Sequence, residues 1–183
     1  MKPLMTLVLV LLLAGCAAGQ GGAGRTPAEE TTANGTEETT VLKGEGNLPR
    51  PPDSTLSYGG REVKGTLGSY CWSSGSSSIC ADTFRVLVPS KERTLTVPSG
   101  SEMVFHSGGQ SSAYKMEGAT AYPINTIDKW GVKPGSSHRA LKAHGSGIER
   151  AIPAELPPGE YVVDVFITVR QGDVTYYFRI MVE

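Results

Sequence analysis

The stretch that most restricts what this chain can fold into is its C-terminal end. Tyr161, Val163, Val165, Ile167 and Val169 alternate with Val162, Asp164, Phe166, Thr168 and Arg170. After Gln171-Gly172-Asp173 an apolar row resumes at Val174, Tyr176, Phe178, Ile180 and Val182. A period of two is that of a strand with one face in a core. Two such runs joined by a glycine-containing turn predict an antiparallel hairpin. Each run then sends one side into the core and leaves Asp164, Arg170 and Arg179 on the other. The two apolar rows also set the register, because a slip of one residue would turn them outward.

The same period recurs upstream. Arg61 to Leu67 follows a Gly59-Gly60 turn, Phe84 to Val88 ends at Pro89, and Thr94 to Val97 ends at Pro98. Glu102 to Phe105 ends near Gly108-Gly109, and Ser112 to Met116 reads as a further strand. Strands punctuated in this way by Gly, Pro and Ser point to an all-β sandwich or barrel. Between Thr126 and Ala154 the pattern is weak. Ser137 to Ala143 reads as one helical turn capped by Ser137, cut short by Gly145 and Gly147, with a strand near Ile148 to Ile152. Leu156-Pro157-Pro158-Gly159-Glu160-Tyr161 resembles the entry to a late strand of immunoglobulin-like domains. That resemblance implies a Tyr161 hydroxyl bonded back to upstream backbone. The plainer alternative is a Pro-Gly turn before a strand whose Tyr sits in the core. Either way the expected fold is an all-β, immunoglobulin-like β-sandwich over residues 54–183.

The N-terminus carries a different message. Lys2 precedes an apolar run from Leu4 to Leu13. The run falls short of the roughly 20 residues that span a bilayer, and it fits a secretory signal peptide over residues 1–15. Leu12-Leu13-Ala14-Gly15-Cys16 resembles the bacterial lipobox. The resemblance implies cleavage before Cys16, a diacylglyceryl thioether on its sulfur, and an exported protein anchored in a membrane through that lipid. Residues 16–53 are rich in Gly, Ala, Thr, Glu and Pro. Such a segment cannot bury enough apolar surface to offset its chain entropy. It is expected to be a disordered tether with a root-mean-square reach of about 35 Å. Val41-Leu42 is its one apolar break, either a short strand or nothing, and Arg50-Pro51-Pro52-Asp53 closes it with a stiff, extended piece.

With Cys16 consumed by lipid, Cys71 and Cys80 remain as an even pair. In an exported protein a pair at this spacing predicts a disulfide. Closing a loop of about ten residues stabilises by about 2.7 kcal/mol in the chain-entropy model. The pair frames Gly68-Ser69-Tyr70-Cys71-Trp72 and a Ser/Gly loop. This motif resembles a set of uncharacterised bacterial lipoproteins and secreted proteins with a small all-β domain; the resemblance brings no known activity. Two readings of Trp72 stay open. It either anchors a recognition loop presented by the bridge or packs over the disulfide in the core. Trp130, in Asp128-Lys129-Trp130-Gly131, is a candidate for stacking on envelope sugars, or else folds onto the end of the sandwich.

The remaining chemistry argues against an enzyme. No Gly-x-Ser-x-Gly elbow is present. His106, His138 and His144 offer a Ser/His/Asp constellation only if the fold assembles one, so an envelope hydrolase stands as the alternative reading. His138 and His144 lack the spacing of helical metal ligands, and no His follows Cys80 closely enough for a copper site. No metal or cofactor is expected. Lys and Arg total 17 against 18 acidic residues, without the basic clustering of a nucleic-acid footprint. The expected function is a lipid-anchored, non-catalytic module of the cell envelope that binds a protein or envelope ligand.

Overall fold

The computed structural model describes residues 50–108 and 114–183. The signal peptide, Cys16, the tether up to residue 49, Val41-Leu42 and the first two residues of the strand expected from Ser112 lie outside the described residues. What is described is all-β: two stacked antiparallel sheets and a small two-stranded ribbon. The smaller sheet has four strands, in the order β11 (Glu149–Pro153), β6 (Glu102–Ser107), β1 (Ser54–Tyr58), β2 (Arg61–Lys64). The larger runs β10 (Arg139–Leu141), β7 (Tyr114–Pro123), β12 (Gly159–Val169), β13 (Gly172–Val182), β3 (Thr66–Ser74), β4 (Ser77–Ala81). A seventh strand, β5 (Thr94–Val97), lies parallel to the end of β13. The ribbon is β8 (Ile127–Asp128) with β9 (Gly131–Val132).

The C-terminal hairpin is the spine of the larger sheet. β12 and β13 pair over their full length, from Gly159 opposite Val182 to Val169 opposite Gly172. Tyr161, Val163, Val165 and Ile167 are buried, as are Val174, Tyr176, Phe178, Ile180 and Val182. The smaller sheet meets them with Leu56, Met103, Phe105 and Ile152. Phe105 sits at the middle of that contact, its ring centroid 6.0 Å from Phe178 and 6.2 Å from both Tyr114 and Tyr176. Edge-to-face rings at such distances add about 1 kcal/mol per pair beyond the area they bury.

Three expectations are corrected. Arg61 to Leu67 is two strands: the chain leaves the smaller sheet after Lys64 and joins the larger at Thr66. Gly65 makes the crossing, with its N–H bonded to the Ser54 carbonyl at 2.9 Å. A Cβ there would stand 2.9 Å from the Phe178 ring, so only glycine fits. Phe84 to Val88 is not a strand but an irregular segment. It crosses the outer face of the larger sheet between β4 and β5. Because that segment covers it, Arg179 is only 6% exposed. Its guanidinium reaches Glu160 at 2.6 Å and the Pro89 carbonyl at 3.4 Å. Finally, Arg139 to Leu141 is a strand on β7 and not part of a helical turn, since β7 leaves an open edge that takes three residues.

The chain is already docked at Pro51, before the expected boundary at residue 54. Pro51 is buried. The Tyr176 hydroxyl donates to the Pro52 carbonyl at 2.6 Å. The Gly108 N–H reaches the Asp53 carbonyl at 2.9 Å, and Lys64 pairs with the Asp53 carboxylate at 2.7 Å.

Candidate functional site

Two loops on the outer face of the larger sheet are built alike. In each, an aspartate accepts the backbone N–H of an aromatic residue two positions on. Asp82 Oδ1 takes the N–H of Phe84 at 3.0 Å, and Asp128 Oδ1 takes the N–H of Trp130 at 2.8 Å. Such Asx turns replace the hydrogen bonds a strand would have made and fix where the next side chains project. Both aromatics project into solvent, Phe84 at 91% exposure and Trp130 at 79%.

The first loop is held by Ser69 on β3, whose hydroxyl donates to Asp82 at 2.8 Å and accepts the Thr83 N–H at 3.0 Å. The Phe84 and Ser69 bonds hold the Asp82 carboxyl below its ordinary range. Phe84 itself takes φ +51°, the one non-glycine left-handed residue among those described. A bulky residue rarely adopts that conformation, and such strain clusters where a side chain must be aimed. The second loop turns through Gly131 at φ +118°. The two are stapled by Arg85, whose guanidinium donates to the Lys129 carbonyl at 2.6 Å. Lys129 Nζ lies 5.0 Å from the centre of the Trp130 ring, within cation–π range. Between the loops runs a cleft lined by Thr66, Arg85, Val86, Leu87, Val88 and Asp128.

Sequence reasoning named Trp130 and missed Phe84, because Phe84-Arg85-Val86-Leu87-Val88 has the composition of a strand. The signal that separates them is the repeated Asp-x-aromatic spacing at Asp82 and Asp128. Trp72 is not presented: at 9% exposure it lies in the core. Cys71 and Cys80 form a disulfide directly across β3 and β4, with Cα atoms 4.1 Å apart. Side chains alternate along a strand, so the bridge stands on the exposed face while Trp72 points inward. The tryptophan therefore does not pack over it. The Tyr161 hydroxyl donates to the Pro157 carbonyl at 2.9 Å, the backward bond expected of it.

The histidines do not converge. His106 faces Glu149 at 3.8 Å and His144 faces Glu102 at 3.0 Å, on and beside the smaller sheet. His138 stacks on Tyr122, ring centroids 5.7 Å apart, beside a cleft that also includes Ser137 and Tyr161. Among the described residues no serine hydroxyl is bonded to a histidine, and no three His, Cys, Asp or Glu side chains cluster as a metal site would need. Comparison with protein families, with curated proteins and with solved structures finds no match.

Proposed function

We propose that the protein is an exported bacterial lipoprotein, cleaved before Cys16 and anchored outside the cytoplasm by lipid on that residue. Its sandwich is a non-catalytic binding module of the cell envelope, working through the paired loops that carry Phe84 and Trp130. The observation behind the binding reading is the exposure of both aromatics on turns that hold them out. Leaving two large rings in water forgoes burial worth about 2 kcal/mol each, and a fold retains such a patch most readily where a partner covers it. The sandwich is of immunoglobulin-like type in this reading, supported by the bond from Tyr161 to Pro157. One departure is that its disulfide joins neighbouring strands of one sheet. The resemblance of Gly68 to Trp72 to bacterial lipoproteins of this build belongs to the same reading.

Two measurements test it. A fatty-acid analogue fed to producing cells should label the wild type and not Cys16→Ser; equal label in both ends the lipoprotein reading. A photoreactive amino acid at position 84 should crosslink to an envelope component in living cells, whereas one at the exposed Glu62 of β2 should not. Equal crosslinking from both positions would remove the patch as the binding surface.

A further inference from the structure

The aromatic loops and the entry segment of the domain share a neighbour on the larger sheet. Thr66, at the start of β3, lines two depressions. One is formed by the entry segment Arg50 to Asp53 with Lys64, Arg93 and Tyr176. The other is the cleft between the aromatic loops. Through Thr66, the first described residues, Arg50 to Asp53, neighbour the cleft between the loops that carry Phe84 and Trp130. Thirty-four residues separate Cys16 from Pro51, and a flexible chain of that length reaches about 35 Å.

The patch is convex and its local charge is balanced. A ring at 91% exposure lines no pocket. The Arg85 and Lys129 cations are matched by the Asp82 and Asp128 carboxylates, each of which takes a backbone N–H. A surface of projecting aromatics with no net charge suits a soft, amphipathic partner better than a polyanion. Trp and other amphipathic rings settle at the headgroup level of a bilayer, with neighbouring cations reaching the phosphates.

We propose that Phe84 and Trp130 seat in the headgroup–acyl boundary of a lipid bilayer and hold the domain against the membrane that carries its anchor. This rests on the patch being the binding surface and names its partner. Two rings bind a bilayer weakly alone. Attachment through Cys16 makes the contact intramolecular, at an effective concentration in the millimolar range, so the patch would set the orientation of an already anchored domain.

The test uses the chain from residue 16 onward carrying Cys16→Ser, so that no acyl group contributes, with vesicle lipid in the millimolar range to stand in for the tethered concentration. Trp72 is buried, so the solvent-quenchable indole fluorescence is that of Trp130. Adding phosphatidylcholine vesicles should shift that emission to the blue and protect it from acrylamide. Vesicles mixed with phosphatidylglycerol should change the apparent affinity by less than about fivefold, the effect of one uncompensated cation near an anionic surface. In co-flotation, Trp130→Ala and Phe84→Asn should each weaken binding about tenfold, with melting temperatures unchanged; Asn is chosen because it tolerates positive φ. No vesicle-dependent shift in the parent chain, or equal flotation of the variants, would overturn the proposal. Binding to purified envelope polysaccharide that is lost in both variants, without flotation, would also overturn it while leaving the patch as a binding surface. Fatty-acid labelling reads the anchor separately.

Discussion

Asp164 lies on β12 opposite Thr120 of β7, two pairs along from Tyr122. Burial outweighs the polar neighbours Thr120 and Tyr122 and raises its pKa above the ordinary 3.8. A carboxyl whose folded pKa is raised stabilises the fold below its unfolded pKa, and that stability is lost as pH rises through the folded pKa. Asp164→Asn should therefore melt higher than the wild type at neutral pH, with the gap closing as pH falls below about 4. A series of thermal melts from pH 3 to 8 checks this. A variant that loses stability at every pH would mean that the polar neighbours Thr120 and Tyr122 outweigh the burial. The alternation along β12 puts Asp164 on the face opposite the core, where the sequence reading left it. What the alternation does not reveal is that the loop from Asp82 to Ser90 and the β8–β9 ribbon also occupy that side. Arg179 is the sharper case: its charge marks an outer position, and its burial follows from Pro89 and Glu160 arriving from elsewhere in the chain.

The β3–β4 hairpin shows how a covalent link and a core side chain divide the work of one strand. Cys71 and Cys80 are opposite each other on the exposed face, while Trp72 anchors the same strand from inside. Removing the bridge should relax the Ser/Gly turn without opening the sheet. Cys71→Ala/Cys80→Ala should keep its β-sheet circular dichroism and lose about 2–3 kcal/mol of stability, as expected for so short a loop. Two reactive thiols in the unreduced, denatured wild type would refute the premise. Because the Phe84 turn is held by hydrogen bonds from Ser69 and Asp82 and not by the bridge itself, patch-dependent binding should survive in the double variant under conditions where it stays folded. That outcome reverses the expectation that the bridge presents a recognition loop with Trp72 as its anchor.

Where the fold begins can be tested by shortening it. Pro51, the Pro52 carbonyl and Asp53 are held by Tyr176, Gly108 and Lys64. A chain starting at Pro51 should melt with nearly the same midpoint as one starting at Ala17. A chain starting at Ser54 leaves the buried Tyr176 hydroxyl without its Pro52 partner and should lose about 1–3 kcal/mol. Equal midpoints for the Pro51 and Ser54 chains would show the entry segment to be passive.

The hairpin, its register and its buried row follow from residues 159–183 alone, because a period of two along a single stretch states which face is wet and which is dry. The pairing of Cys71 with Cys80 was equally readable, since with Cys16 set aside as the expected lipidation site the two remaining cysteines have only each other. The crossing at Gly65, the irregular path of Phe84 to Val88 and the strand at Arg139 to Leu141 were not. Each depends on what the rest of the chain leaves open: a ring of Phe178 that admits no Cβ, an outer face that needs covering, an edge of β7 with unpaired backbone groups. The patch divides along the same line. Each Asp-x-aromatic turn is local, written in three residues, but that the two turns are stapled together by Arg85 is a matter of contacts between segments more than forty residues apart, which no local pattern encodes.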